Sequence, residues 1–422
     1  MLRKACGVDV HQDGFVATIL SSMGCETRRF VKDLKGIEAF KAWLKSNKCR
    51  AVVMESTGVY WIPLYAGLEG EFDVKLANAQ RTRKVPGRKT DQSDSEWLAY
   101  LLRSGLIEAC YVPERKIRVL RELTRLRTKM VQNRTDYKNR VHKVLQRCNI
   151  RLGSKLHSVF GKAGMEVLEG LMAGKSLEEI VNQSRSRVLK ERRGELEEVV
   201  RTGLDEEDIF IMKRCLRMIE RLDEEIGEVD ARIAMLMGGW KEDVRISRVP
   251  GVAKVSAPAI LAEIGDAKRF ENGKKISSWA GLCPSVYQTA DKNLTGQIKQ
   301  GSTHLRRMMV QVAHAATRCR DSRLRLFYLK VAARRGKKKA IVALAHKILC
   351  IIHHLLINGE DYVEDGFAKL PNVSFKPLAR IPLEEMAAIL RGCWLCCFGS
   401  WLIGAAEDKN LHMATLMRAL RR

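Results

Sequence analysis

The sequence predicts a mixed α/β domain at the N-terminus, followed by a mostly helical remainder. Up to about residue 110, short apolar runs alternate with amphipathic stretches, a pattern typical of strands and helices in one domain. Beyond Pro113, apolar residues instead recur at steps of three and four, which indicates helices. The chain has 422 residues, enough for two or three domains with sizeable cores.

The elements of the first domain follow a recognisable order. Five apolar runs predict strands: Ala5–His11, Gly14–Ser21, Thr27–Lys32, Arg50–Glu55 and Phe72–Ala77. Three amphipathic stretches predict helices: Gly36–Ser46, Val59–Leu68 and Thr90–Ser104. Three strands, then helix, strand, helix, strand and helix, is the order of the ribonuclease-H-like fold, which we infer by analogy. In that fold the first strand lies beside a later one.

Four acidic residues stand at informative places in this order. Asp9 lies in the first strand and Glu55 ends the fourth, while Asp91 and Asp94 lie three apart at a helix start and share one face. A lone carboxylate is costly to bury, but several together can share divalent cations. Two metals held in this way stabilise the attacking and leaving oxygens of a phosphate displacement. The alternative is that Asp9 is a strand-end turn residue and the helix acids merely favour the helix dipole.

The charge balance predicts a polyanionic partner. The formal net charge is +26 and the pI is near 9.7, which favours nucleic acid. A membrane surface is the alternative, but we identify no signal peptide and no long apolar span, and the uncharged run Gly392–Ala406 is too short to cross a bilayer. Twelve cysteines without a disulfide framework are typical of a reduced cytosolic protein, and no second pair completes a zinc site with Cys393 and Cys396.

Two long helices are predicted after the first domain. Between Pro113 and about Leu156, fourteen Lys and Arg residues stand against three acids. A solvated face would normally mix both signs, so we interpret this one as a surface that follows a phosphate backbone, with Arg121, Arg125 and Lys129 in contact. A second stretch, Asp208–Met237, carries mixed charge and predicts a helix that pairs as in a coiled coil.

A further globular unit begins near Arg245. The segment Val249–Ser256 resembles a helix-hairpin-helix turn, whose backbone N–H groups bind phosphate, although a plain helix–helix turn explains it equally well. The hydroxyl-rich segment Ser278–Lys292 leads through Gly296 and Gly301 into a basic helix. Hydroxyls, glycines and cations together suit phosphate handling, and a surface hairpin before a helix is the alternative.

Several segments in fixed order resemble the DEDD-type transposases of the insertion-sequence-110 family. They are Gly7–His11, Met54–Trp61, Val85–Asp94, Arg248–Gly251, Ala280–Pro284 and Arg334–Leu355. The resemblance covers residues 1 to about 365. It implies a RuvC-like N-terminal domain, a coiled-coil linker and a C-terminal transposase domain. It also implies a structured bridge RNA, encoded beside the gene, that pairs with donor and target DNA.

The resemblance also implies the site residues. The metal-binding acids of the family correspond to Asp9, Glu55, Asp91 and Asp94, which would hold Mg²⁺ or Mn²⁺. The family's covalent serine nucleophile corresponds, counting back from Gly296, to Thr289. Threonine keeps a hydroxyl, but its methyl group crowds an in-line attack.

Three departures from the family pattern concern this C-terminal half. The nucleophile position carries threonine, and either Ser285 or Ser302 is an alternative hydroxyl. The family usually has one more residue between the glycines that are here Gly296 and Gly301. The tail beyond about Gly366 matches nothing in the family.

We therefore predict four parts: 1–110, a RuvC-like DEDD domain; 111–240, a helical coiled-coil region; 241–365, a C-terminal transposase domain; and 366–422, an atypical tail. The predicted function is an RNA-guided transposase that cuts and joins element and target DNA. The alternatives are a RuvC-like nuclease that uses water, and a decayed transposase that only binds nucleic acid. The protein is expected to be a cytoplasmic, nucleoid-associated homo-oligomer (dimer or tetramer) with no membrane partner. The expected nucleic-acid contacts are Arg88, Lys89, Arg121, Arg125, Lys129, Lys299, Arg306 and Arg307.

Overall fold

The structure, a computed structural model, divides into two compact units, of which the first ends at Pro113 and the second begins at Glu114. It describes residues 2–56, 58–78, 82, 94–200, 203–284, 288–289, 292–293, 298, 300–320 and 322–364. Several predicted features therefore lie outside the described residues: residues 85–93 of the Val85–Asp94 motif, with Arg88, Lys89 and Asp91, then Ser285, Gly296, Lys299 and the tail 366–422. The proposed four-part division stays a prediction.

The first unit is built on one mixed sheet. Its strands are β1 (Lys4–Val10), β2 (Gly14–Ser21), β3 (Gly24–Val31), β4 (Ala51–Glu55), β5 (Asp73–Ala77) and β6 (Ala109–Cys110). Its helices are α1 (Leu34–Ser46), α2 (Trp61–Leu68) and α3 (Asp94–Arg103). The strand order is β3-β2-β1-β4-β5-β6, with β1 antiparallel to β2 and parallel to β4. The predicted element order, and the pairing of the first strand with a later one, are confirmed.

The two faces of this sheet differ in side-chain size. Because side chains alternate along a strand, Cys6, Val8 and Val10 of β1 face the larger core, which α1 and α2 complete. The opposite face presents small residues, including Ala5 and Ala51, to α3. Small residues let a helix backbone approach a sheet closely, so this pattern determines how near α3 lies to β1.

The predicted strand bounds agree with the structure to within one residue except at the start of β3, and the two-residue strand β6 was not predicted. The sequence predicts a strand from Thr27, whereas β3 begins at Gly24. This edge strand is mostly exposed and polar, so its first residues carry no apolar signal. Its pairing with β2, from Ser21 opposite Gly24, extends the hairpin to the turn.

The second unit is predominantly helical in its described residues. Its helices are α4 (Arg115–Arg147), α5 (Leu152–Lys155), α6 (Lys162–Met172), α7 (Leu177–Gln183), α8 (Arg187–Glu191), α9 (Arg193–Val199), α10 (Glu206–Met237), α11 (Lys241–Ser247), α12 (Ser256–Ile264), α13 (Gly273–Trp279), α14 (Thr303–Ala316), α15 (Arg323–Arg335) and α16 (Lys337–Asn358). Two antiparallel strands of two residues each, β7 (Gln288–Thr289) and β8 (Lys292–Asn293), lie between α13 and α14.

The two long helices α4 and α10 pair antiparallel. Three ion pairs show this direction, since the residue numbers rise along α4 while those of their partners fall along α10. The pairs are Arg127 with Asp230, Arg134 with Asp223, and Arg147 with Asp208. The predicted pairing helix is thereby confirmed. The basic helix is shorter than predicted, since α4 ends at Arg147 and the chain turns through the left-handed Asn149 (φ 56°).

The last described helix is unusually apolar. By length and composition, α16 is able to cross a membrane, a property that the sequence analysis missed. Half of its most apolar window is buried inside the protein, where Leu344, Ile348 and Ile352 join the main core of the second unit. A core helix passes the same test of length and composition, and burial of this kind indicates one.

Candidate functional site

Asp9 and Glu55 lie level with each other on neighbouring parallel strands. The register pairs Val8 with Met54, and the next residue on each strand is one of these two acids. Residues level in a parallel pair point to the same face of the sheet. Both acids therefore stand at the carboxyl ends of their strands, on the small-residue face that α3 covers, and both are partly buried.

Gly7 brings the start of α3 onto this face. A β-carbon on Gly7 would overlap the carbonyl oxygen of Ser95 and would lie 2.9 Å from the Leu98 β-carbon. Only a residue without a side chain allows the first turn of α3 to approach β1 so closely. Asp94, the exposed first residue of α3, is thus held near the strand end that carries Asp9, two residues beyond Gly7.

A row of three hydroxyl groups, buried at Thr18 and Ser95 and exposed at Thr27, fixes the same helix start to the sheet. The Thr18 hydroxyl lies 2.8 Å from that of Ser95 and 2.9 Å from that of Thr27. Thr18 and Ser95 are almost wholly buried, and Thr18 pairs with Gly7 in the β1–β2 register. Because Gly7 has no side chain, the Ser95 side chain passes over β1 at Gly7 and contacts Thr18 on β2.

The donor set at this edge suits a hard divalent cation. Carboxylate oxygens are the ligands that Mg²⁺ and Mn²⁺ prefer, and Asp9, Glu55 and Asp94 all supply them. Among the residues that the structure describes, no three His, Cys, Asp or Glu side chains converge as a metal site. Asp91 lies outside those residues. His11 Nε2 is 3.2 Å from Asp9 Oδ2, so Asp9 has a charged neighbour when that imidazole is protonated.

Two of the arginines predicted to bind phosphate have partners within the protein. Arg125 makes a two-pronged ion pair with Glu263, at 2.7 and 3.0 Å, and the Glu263 side chain is only 6% exposed. Arg121 Nε donates to the Ala262 carbonyl at 2.9 Å. These contacts bind α4 to the C-terminal end of α12, so both arginines have internal partners, and their predicted nucleic-acid contacts stay predictions. Lys129 is exposed, and its nucleic-acid contact stays a prediction.

The start of α14 carries further positive charge. Arg307 is exposed and Arg306 is partly buried. Burial, and next the positive charge of Arg125, lower the pKa of His304. The phosphate contacts predicted for Arg306 and Arg307 stay predictions, but their position at a helix start is compatible with anion binding.

The described part of the segment predicted to carry the nucleophile includes the short antiparallel pair β7–β8. Thr289 pairs with Lys292 across β7 and β8. Gly301, after the β7–β8 pair, packs against the Ala280–Pro284 motif, since a β-carbon there would lie 2.5 Å from the Gly281 backbone nitrogen. Ser302, the alternative hydroxyl, caps α14 by accepting from the Leu305 N–H at 3.4 Å. The structure thus gives Ser302 a helix-capping role.

The helix-hairpin-helix-like turn also has a packing role. It connects α11 and α12, as either interpretation requires. Gly251 has a φ of +88°, and a β-carbon there would lie 2.5 Å from the Val312 carbonyl oxygen of α14. The glycine therefore permits close helix packing, and phosphate binding by this turn stays a prediction.

Two families match the chain in the same order as its motifs. Residues 6–150 match a family of transposases of the DEDD, IS110 type, and residues 243–329 match the family described as transposase IS116/IS110/IS902. The chain belongs to the IS110 family of transposases. The resemblance read from the motifs is thereby confirmed, and with it the enzyme class, a transposase or site-specific DNA recombinase.

Curated relatives of this IS110 transposase are similar over different spans. A transposase for insertion sequence element IS1111A from Coxiella burnetii is 24% identical over 368 residues, which cover 85% of this chain and 91% of the relative. A probable family 20 transposase from Pseudomonas aeruginosa is 34% identical over 151 residues, 33% of this chain and 44% of the relative. A pilin gene-inverting protein from Moraxella bovis is 23% identical over 183 residues, which cover 40% of this chain and 55% of the relative.

Sequence reasoning missed the residues that position α3 in this transposase. Gly7 and Ser95 stand beside predicted acids, yet neither was singled out. A signal was present for Gly7, because small residues at alternate strand positions, Ala5 and Gly7, indicate a close helix. The row of hydroxyl groups at Thr18 had no such signal, because its partner Ser95 lies 77 residues away in sequence.

Proposed function

We propose that this transposase cuts and rejoins DNA in a metal-dependent reaction at the carboxyl ends of β1 and β4. One observation carries the proposal: Asp9 and Glu55 lie level on two parallel strands, on the face where Gly7 admits the helix that starts at Asp94. A carboxylate set on strand ends and a helix start is a suitable holder for metal ions in phosphate chemistry.

The sheet order supports a ribonuclease-H-like, RuvC-like fold for the first unit. A three-stranded antiparallel part, continued by two parallel strands connected through helices, matches the order expected for that fold. The fold assignment is part of the proposal and rests on this topology.

The proposed metal holders are Asp9, Glu55, Asp91 and Asp94, with Mg²⁺ or Mn²⁺. When bound, such a metal lowers the energy of negative charge that develops on the phosphate oxygens. The residues themselves act by holding the ligand oxygens at one edge of the sheet. Gly7, Ser95 and Thr18 would keep the helix acids there without contacting the substrate.

Thr289 is the proposed nucleophile. Its hydroxyl oxygen would form a bond to a DNA phosphorus while one ester bond of that phosphate breaks. The hydroxyl proton would leave to a base or solvent, and the departing deoxyribose oxygen would gain a proton. Attack by a deoxyribose hydroxyl of the recipient strand would reverse these changes, so joining needs no added energy source.

The proposed partners are the element ends, the target DNA and a structured non-coding RNA. The net charge of +26 supports a polyanionic ligand, and the β7–β8 pair and α14 supply hydroxyls and cations in one segment. We further propose a cytoplasmic protein that acts at the nucleoid as a dimer or tetramer.

A suicide DNA substrate tests the chemistry. A nicked element end lets the first strand escape, so a covalent protein–DNA adduct accumulates and mass spectrometry can locate it. The proposal expects an adduct through Thr289 that needs Mg²⁺, and expects Thr289→Ala to lose it. Thr289→Ser should retain or raise activity, because a primary hydroxyl is less crowded.

The other outcomes separate the alternatives. Cleavage without an adduct would indicate a nuclease that uses water. Binding without any cleavage, with activity appearing only in Thr289→Ser, would indicate a decayed enzyme. An adduct that persists in Thr289→Ala would move the role to Ser285 or Ser302.

A further inference from the structure

The carboxyl ends of β1, β3 and β4 meet at one edge of the sheet. The strands β1 and β4 are parallel, and β3 runs in the same direction because β2 is antiparallel to both of its neighbours. The residues that follow these strands are therefore brought together: His11 after β1, Lys32 after β3, and Tyr60 a few residues beyond β4. The same edge carries Asp9 and Glu55.

A continuous chain of contacts joins these residues to Asp9. His11 Nε2 lies 3.2 Å from Asp9 Oδ2, and the His11 carbonyl accepts a hydrogen bond from Lys32 Nζ at 3.0 Å. The same ammonium lies 4.7 Å from the centroid of the Tyr60 ring. The Lys32 backbone N–H also donates to Asp13 O at 3.1 Å, so both ends of this lysine are held.

Tyr60 is held at the edge while a large part of it stays exposed. The chain turns at Gly58, which is left-handed at φ +54°, and Trp61 Nε1 donates back to the Gly58 carbonyl at 3.2 Å. Tyr60 is 37% exposed, and its neighbours Val59 and Ile62 are 66% and 42% exposed. An exposed aromatic and apolar surface beside a lysine is unusual for a solvated loop.

We infer that Tyr60 and Lys32 form a platform for one unpaired nucleotide of the DNA strand held at the acids. The ring of Tyr60 would stack on the nucleobase, and the ammonium of Lys32 would pair with its phosphate. Stacking on an aromatic face tolerates any base, which suits an enzyme whose target sequence is selected by the proposed guide RNA. The inference rests on the proposed function, because it assumes that a DNA strand reaches this edge.

An unpaired nucleotide fits better than a duplex. Stacking needs the face of a base, which a base pair inside a helix does not offer, whereas a strand end or a locally opened strand does. The contact chain from Asp9 through His11 to Lys32 places the platform beside the proposed metal holders, so it would position the nucleotide next to the phosphate that reacts.

Photo-crosslinking tests the platform without any chemistry by the enzyme. The full-length protein, in EDTA, is mixed with a single-stranded oligothymidylate that carries one 5-iododeoxyuridine, and is irradiated. The crosslinked peptide is then located by mass spectrometry. The platform predicts a crosslink at Tyr60, its retention in Tyr60→Phe, and a loss of roughly five-fold or more in yield at that peptide in Tyr60→Leu.

Two further variants complete the design. Lys32→Gln should flatten the log–log salt dependence of oligothymidylate binding by about 0.7, as expected for one lost phosphate contact on a single strand. Tyr111→Leu is the matched control, since Tyr111 is 40% exposed in the same unit but follows the edge strand β6, and it should leave the Tyr60 crosslink unchanged. Thermal melting of each variant confirms that it is folded.

The outcomes distinguish this inference from the proposed function. Crosslinks that map only to other residues, or a yield unchanged in a folded Tyr60→Leu, overturn the platform even if the wild-type protein cleaves DNA. A crosslink at Tyr60 that depends on the ring supports the platform even if no covalent adduct forms in the suicide-substrate assay.

Discussion

Gly7 on β1 and Ser95 on α3 lie in direct backbone contact, and this contact decides where the helix acids stand. Even one methyl group on Gly7 would overlap the Ser95 carbonyl oxygen and the Ala99 N–H. The neighbouring groups are backbone atoms of a helix, so they cannot rotate away as a flexible side chain would. The helix as a whole has to move.

Gly7→Ala is therefore expected to lower the free energy of unfolding by about 1–3 kcal/mol, the usual cost of overpacking. It should also lower Mg²⁺-dependent cleavage, because α3 shifts away from Asp9. Urea denaturation and a cleavage assay measure the two effects. Gly227→Ala is the control, since a β-carbon there meets open space on α10, and it should stabilise by about 0.5–1 kcal/mol. Unchanged stability and cleavage in Gly7→Ala would contradict this role.

Much of the first unit could be predicted from the sequence because its signals are local. Apolar runs indicate the first five strands, and their order implies that the first strand pairs with a later one, so the sequence alone places Asp9 near Glu55. The close approach at Gly7 was not predicted, since it depends on which face of the sheet receives α3.

The roles of the basic residues could not be predicted, because their partners are distant in the sequence. Arg125 and Arg127 look like parts of a positive surface when α4 is considered alone. Their acidic partners, Glu263 and Asp230, lie more than a hundred residues further along the chain. Only the packing of α4 against α10 and α12 shows that these charges are paired.

Asp9→Asn is expected to abolish metal-dependent cleavage while the protein stays folded. The amide keeps the size of the side chain but loses the charge that a divalent cation needs. In EDTA, the free energy of unfolding should stay within about 1 kcal/mol of the wild type, because the ionic neighbour that the described residues give Asp9, His11, is exposed. A thermal shift titrated with Mg²⁺ should be smaller than in the wild type.

The control for that variant is Asp73→Asn. Asp73 is exposed and begins β5, at the end of the strand away from the proposed site. Its replacement should leave both cleavage and the Mg²⁺-dependent thermal shift unchanged. Wild-type cleavage by Asp9→Asn would show that the metal site is assigned to the wrong residues.

Arg125 and Lys129 lie one helical turn apart on α4 but should respond differently to removal. Arg125→Ala leaves the buried Glu263 carboxylate without its ion pair, so we expect a loss of about 2–3 kcal/mol, below the range for fully buried pairs because Arg125 is 37% exposed. Glu263→Gln added to Arg125→Ala should recover part of this loss. Lys129→Ala should leave stability unchanged and flatten the salt dependence of nucleic-acid binding by about 0.7–0.9.

Chemical denaturation and binding titrations at several salt concentrations separate the two residues. If Arg125→Ala changes only the salt dependence and not the stability, the ion pair with Glu263 does not matter for folding. If Lys129→Ala changes neither, this part of α4 is simply solvated.

The acid stability of the α4–α10 pair should depend on Asp208. The Cys148 thiol donates to this carboxylate at 2.9 Å and Arg147 pairs with it, and both lower the pKa of Asp208 in the folded state. A carboxyl group whose pKa is lower in the folded than in the unfolded state binds more protons when unfolded. Its stabilising contribution is therefore complete above the unfolded pKa, about 4, and is lost as the pH falls through the lower folded pKa.

Asp208→Asn should consequently be less stable than the wild type at neutral pH, and the difference should shrink as the pH falls below about 4. Free energies of unfolding measured by urea titration across this range give both curves. Asp205 needs to stay unchanged, because its side chain caps the start of α10 by accepting from the Asp208 N–H. Glu224→Gln is a matched control on the exposed side of α10, and it should give a curve parallel to the wild type. A constant difference between Asp208→Asn and the wild type at every pH would show that Asp208 contributes through packing and not through its charge.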